Sequence, residues 1–97
     1  MNQGRWWNLS EHQLISERER AHQARQLMEH PLWVAAWADF DAQVRQSWER
    51  SQPDAAQERE SAYTRWRVGK QIRRAIERHI ETGRMADLAL EERKENE

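Results

Sequence analysis

Trp33, Trp37, Phe40, Val44 and Trp48 recur at steps of four, three, four and four within the stretch from Pro31 to Trp48. At 3.6 residues per turn these five side chains form one narrow stripe, whereas on a strand they would scatter over both faces. Pro31 suits the first helical position, because its missing N–H would have no helical partner there. Three indoles on one stripe are a heavy apolar load for a helix of this length, so something must cover them. Any fold available to this chain has to provide that cover.

The rest of the composition offers little help. The chain has 97 residues, 37% of them hydrophobic and 34% charged, with a mean hydropathy of -1.22. That is one domain at most, and too polar for a conventional globule; it suits long helices with solvated outer faces. Six of the eight aromatic residues are Trp, so the apolar energy sits in a few large rings. A formal net charge of -1 gives no global attraction to nucleic acid or to an acidic membrane. With no cysteine there is no disulfide framework and no thiolate chemistry. No apolar run has the length of a membrane span or a signal-peptide core, so a soluble intracellular protein is expected.

Taken in order, residues 1–9 are aperiodic and read as an N-terminal arm carrying Trp6 and Trp7. On an extended arm two adjacent side chains point apart, so one can dock inward while the other anchors a partner. Ser10 to Gln13 matches a capping box that opens a first helix over about 11–29. Its apolar face (Leu14, Ala21, Ala24, Met28) is too small to hold it unaided. His30-Pro31 ends or kinks that helix, and a second follows over about 31–50. His30, at a helix C-terminus, has an electrostatic role available that favours its charged form. Asp41 and Arg45 stand one turn apart as a surface pair. Ser51 to Asp54 is the clear turn, and Asp54 to Gln57 reads as a second capping box. A third helix follows over about 55–82, with Gly83 placed as its left-handed stop. A short helix over 85–91 and a charged tail over 91–97 complete a single helical domain spanning 10–90.

On helix three, Ala62, Trp66, Gly69, Ile72, Ile76 and Ile80 fall within a sector of about 120°. Gly69 on that face costs about 1 kcal/mol relative to alanine, and it makes room for a ring of helix two. A turn this short makes helices two and three antiparallel neighbours. Counting outward from it puts Val44 level with Arg59 and Glu60, Trp37 with Trp66, and Trp33 with Gly69 and Lys70. Helix two then runs out at about Arg73, leaving Ile76 and Ile80 for helix one, with Met28 at Ile76 and Ala24 at Ile80. The expected architecture is therefore all-α, a long antiparallel helical hairpin with a Pro-kinked first arm. A three-helix bundle, with helix one folded back beside helix two, is the alternative. Either way one seam is too small for Trp33, Trp37, Trp48 and Trp66, which predicts self-association or docking on a larger partner.

Chemistry is scarce. Arg67, Lys70, Arg74 and Arg78 form a basic ridge about 140° from the apolar stripe, and residues 65–84 hold seven Arg or Lys against two Glu. Such a row can track phosphates without reading sequence, dock on an acidic protein, or remain a solvated face partly neutralised by Glu77 and Glu81. Those two carboxylates stand one turn apart among arginines, an arrangement for surface ion pairing. His12, His22, His30 and His79 include no i, i+4 pair, so no zinc site is expected. No serine sits in a nucleophile elbow and no Gly-rich phosphate loop exists. No enzyme activity, cofactor, metal or small-molecule ligand is expected.

His30-Pro31-Leu32 opens a helix carrying Ala36, Trp37, Phe40 and Trp48, followed by a polar Pro-Asp turn with Arg59-Glu60 just beyond. Tyr63 and Trp66 then precede Ile80-Glu81-Thr82-Gly83-Arg84-Met85 on a long helix. Across Glu17 to Leu88 this pattern resembles small, uncharacterised all-helical tailed-bacteriophage proteins encoded among the terminase, portal and capsid genes. This chain is richer in Trp, and its arm lies outside the likeness. The resemblance carries over no catalytic or ligand residue. It implies a non-enzymatic head-assembly or packaging-associated role, or a minor virion component, in the host cytoplasm or retained in the virion. Its partners would be other copies of itself or a larger phage structural or packaging protein. Trp6, Trp7, Trp33, Trp37, Trp48 and Trp66 are the candidate interface; Arg67, Lys70, Arg74 and Arg78 are the candidate contact with nucleic acid or an acidic partner. A small DNA-binding packaging accessory and a phage-encoded inhibitor of a host protein are the rival expectations.

Overall fold

The computed structural model describes residues 8–96. The described chain is all-α, with helices α1 (Glu11–Glu29), α2 (Pro31–Arg50) and α3 (Ala56–Glu95). Contacts gather the described residues into two units. One unit is Met28–Ala75; the other joins, among the described residues, 8–27 with 76–96. Both contain antiparallel helix pairs, and α3 contributes to each.

Each helix boundary has a local cause. The capping box forms as expected: Gln13 N–H donates to Ser10 Oγ at 3.1 Å and Ser10 N–H to Gln13 Oε1 at 2.8 Å. His30 interrupts the helices with extended backbone (φ -65°, ψ 129°), the conformation imposed on a residue before proline. Its imidazole acts differently from expectation. Nδ1 accepts the Leu32 N–H at 3.1 Å, which makes His30 the N-cap of α2. At the far end, Ser51 closes α2 by donating both its N–H and its hydroxyl to the Trp48 carbonyl. Ala55, rather than Asp54, caps α3 by accepting the Arg59 N–H. The Arg59 guanidinium reaches back to the Gln52 carbonyl, where it joins the Ala55 N–H in holding the connection.

In the Met28–Ala75 unit, Gly69 is buried against two rings of α2. A Cβ placed there would lie 2.7 Å from Phe40 Cε2 and 3.2 Å from Trp37 Cζ3, so the glycine makes the room that the sequence implies. The register is three residues away from the expected one, because Trp37 stands at Gly69 and not at Trp66. The connection between α2 and α3 is centred on Pro53, and counting from there puts Trp37 level with Gly69 and Val44 with Ala62. Val44 and Ala62 are buried at the seam nearer that connection. Asp41 does not pair with Arg45. Its carboxylate takes a forked contact from Arg73 at 2.9 and 3.1 Å, while Arg45 lies 4.0 Å from Glu49.

In the other unit, α1 runs antiparallel to the C-terminal part of α3. Leu14, Ala86 and Ala89 form its buried cluster, with Leu9 and Leu90 packed on it. Arg18 lies 3.8 Å from Asp87, and Arg93 donates to the Leu9 carbonyl. Here Gly83 corrects the expectation of a stop. The helix passes through it, taking in the expected short helix and most of the charged tail. A Cβ at Gly83 would fall 2.1 Å from Ala21 Cβ and 3.2 Å from the Glu17 carbonyl oxygen. The residue is therefore glycine for close approach of two helices and not for a left-handed turn. Its roughly 1 kcal/mol propensity cost is offset by that packing and by the good helix formers that follow it.

Candidate functional site

The α2–α3 layer of the Met28–Ala75 unit has two flanks, and the sequence period sets what each carries. At 100° per residue from Gly69, Arg65, Val68 and Ile72 fall on one side of the seam. Tyr63, Trp66, Arg67 and Lys70 fall on the other. The first flank holds an apolar groove of about 520 Å³, lined by Trp33, Ala36, Trp37, Phe40, Val68 and Ile72 with Arg65 and Thr64 at its edge. Leu32, one turn before Ala36, stands on the same flank. Leu32 is 69% exposed, Ile72 47% and Val68 46%.

The tryptophans divide between these places. Trp33 and Trp37 meet edge-to-face at 5.4 Å, as do Trp37 and Phe40, a geometry favoured by the ring quadrupoles. All three rings are half-buried, forming the wall of the groove. Trp48 and Trp66 lie on the second flank, 50% and 40% exposed. There they line a shallow pocket of about 230 Å³ with Val44, Arg45, Ala62 and Tyr63. No described Trp is buried. Trp6 and Trp7 lie outside the described residues.

The ridge is built over rings. Tyr63 and Trp66 stack at 5.8 Å with 29° between their planes. Lys70 Nζ lies 4.7 Å from the Trp66 centroid and the Arg67 guanidinium 5.9 Å from that of Tyr63. Arg73 adds a third such contact, 4.5 Å from the Trp37 ring, while bound to Asp41. Arg74 is exposed in the same unit; Arg78 is exposed in the other. The contributions of Tyr63, Arg73, Leu32, Val68 and Ile72 are missing from the sequence-based interface. Their signal is their rotation about α3 or α2 relative to the seam, readable only once Gly69 is known to face Phe40.

Of the two carboxylates, Glu81 is engaged by a neighbouring arginine. Arg84 binds Glu81 through two hydrogen bonds, Nη2 to Oε1 at 2.6 Å and Nε to Oε2 at 3.2 Å. That bonding holds the Glu81 carboxyl below the usual carboxylate range and raises Arg84. Among the described residues no group of three or more His, Asp or Glu is placed to hold a metal ion. None of their helices is long and apolar enough to cross a membrane. No family model, curated protein or solved structure matches the chain.

Proposed function

We propose that this chain is a non-enzymatic assembly protein of a tailed bacteriophage, acting in head assembly or DNA packaging by offering an apolar helix face to larger morphogenetic subunits and to its own copies. The observation that carries the reading is the groove flank of the Met28–Ala75 unit. Leu32, Val68 and Ile72 are about half exposed or more, beside the half-buried Trp33, Trp37 and Phe40. A contiguous apolar patch beside a groove of about 520 Å³ is the kind of surface that interaction sites present. The phage setting comes from the sequence resemblance.

The test is to present the purified chain to portal, terminase and capsid subunits of a tailed phage that carries its gene. One of these should retain it at micromolar concentration. Leu32→Ser with Ile72→Ser should abolish retention while the helical circular dichroism persists. If all three subunits fail to bind, the assembly role is wrong.

A further inference from the structure

The second flank of the Met28–Ala75 unit has a composition that protein docking does not need. Its rings are Trp48, Tyr63 and Trp66, each 40–50% exposed. Its charges are Arg45, Asp41, Arg67, Lys70, Arg73 and Arg74. Asp41 neutralises Arg73, and Glu49 lies beside Arg45. Among the described residues no ion pair reaches Arg67, Lys70 or Arg74; Arg67 and Lys70 lie over the Tyr63 and Trp66 rings, and Arg74 follows one turn on, with Glu77 three residues beyond it. The three cations follow one another at three- and four-residue steps, about 4.5–6 Å apart along the axis. In a chain with formal net charge -1, that is a local concentration of positive charge.

We propose that Trp48, Tyr63, Trp66, Arg67, Lys70 and Arg74 form a binding face for single-stranded nucleic acid. Phosphates meet the three cations and bases stack on the rings, a combination that tolerates any sequence because every base has a π-face. Lys70 is exposed on a flexible stem above the Trp66 ring, so its ammonium can step from the ring to a phosphate as a base takes its place. The open pocket of about 230 Å³ lined by Trp48, Tyr63 and Trp66 gives a base an edge to enter. A duplex is the poorer ligand. Its bases are already stacked on one another, so the indoles would meet only backbone. An acidic protein would use the cations and leave the rings idle.

The experiment uses the full chain and a fluorescently labelled 20-nucleotide oligothymidylate, followed by anisotropy and by quenching of Trp emission. Binding at 50 mM salt with Trp quenching is expected. It should weaken about twentyfold by 200 mM, from a slope of about -0.7 per phosphate contact over three contacts. Trp48→Leu and Trp66→Leu should each cost at least about fivefold for a stacked base, and Lys70→Glu with Arg74→Glu should abolish binding. Arg25→Glu with Lys94→Glu, an equal charge change at exposed positions of the other unit, controls for net charge. Since Trp48 and Trp66 are half exposed, their leucine variants should keep the wild-type circular dichroism. Absence of binding at 50 mM salt overturns the proposal. So does duplex DNA binding equally well with both leucine variants unaffected, which would reduce the face to a bare cationic ridge. Polyglutamate displacing the oligonucleotide at equal charge concentration would also overturn it, in favour of an acidic protein. None of these results depends on the groove of the opposite flank.

Discussion

Gly69 and Gly83 are the same residue type in the same helix, each at a point of closest approach, yet their tolerance of a methyl group differs. At Gly69 the nearest obstacle is the edge of the Phe40 ring, the far end of a side chain that can turn. Gly69→Ala should gain up to about 1 kcal/mol in helix propensity against an overpacking cost of about 1–3 kcal/mol, for a modest net loss. At Gly83 the obstacles are the Ala21 Cβ and the Glu17 carbonyl, which move only with the backbone of α1. Gly83→Ala should therefore cost about 3 kcal/mol or more. Urea unfolding of the two variants checks the order, and a Gly83→Ala protein as stable as wild type would show that α1 does not approach so closely. Gly69 was readable from sequence because it interrupts an apolar stripe. Gly83 was not, since a glycine that ends a helix and one that admits a neighbour leave the same letter in the chain. Glu81 supplies a residue-scale dependence on pH. Its carboxyl is lowered by Arg84, so its contribution is present above the unfolded-state titration range. It disappears as pH falls through the lower folded-state range. Glu81→Gln should flatten the acid limb of the stability profile slightly; an unchanged limb would mean that the pair does not hold in solution.

At the scale of elements, the stripe on α2 and the capping box of α1 were legible because they rest on local periodicity and local hydrogen bonding. Register was not. Counting from the turn requires knowing where α3 begins, and α3 begins at Ala56 behind an alanine cap that no capping rule would choose. Asp41 pairs across the seam with Arg73 and not with Arg45 on its own helix, a choice that i, i+4 spacing alone does not reveal. A cross-helix clamp follows, with Arg73 held by both the carboxylate and the Trp37 ring. Because its Asp41 end is nearly half exposed, Asp41→Ala should cost no more than about 1 kcal/mol. A double-mutant cycle with Arg73→Ala should return a coupling energy near that value, whereas strict additivity would place the two groups apart. The α1 cap is tested in the same way: Ser10→Ala should cost about 1 kcal/mol, read as a lowered thermal midpoint.

For the molecule as a whole, the sequence anticipated rings that one seam cannot cover, and every described tryptophan remains partly open. It did not anticipate that they would be sorted. One flank is aliphatic and grooved, with Trp33 and Trp37 as its wall. The other is a row of rings beneath cations. The sorting follows from two helical periods set against one seam, and neither period reveals it without the register. Function was the least legible quantity, because docking faces are built from the same side chains as cores and differ only in being left uncovered. The central claim, that the groove flank is there to be covered by another molecule, is tested most directly by sedimentation velocity of the 11.7 kDa chain at micromolar concentration, alone and with the three phage subunits, each sample titrated in parallel with an apolar dye. The account predicts mass above that of one chain, alone or with a subunit, and dye binding that falls as the complex forms. A chain that sediments as a monomer in every mixture and binds no dye would contradict it.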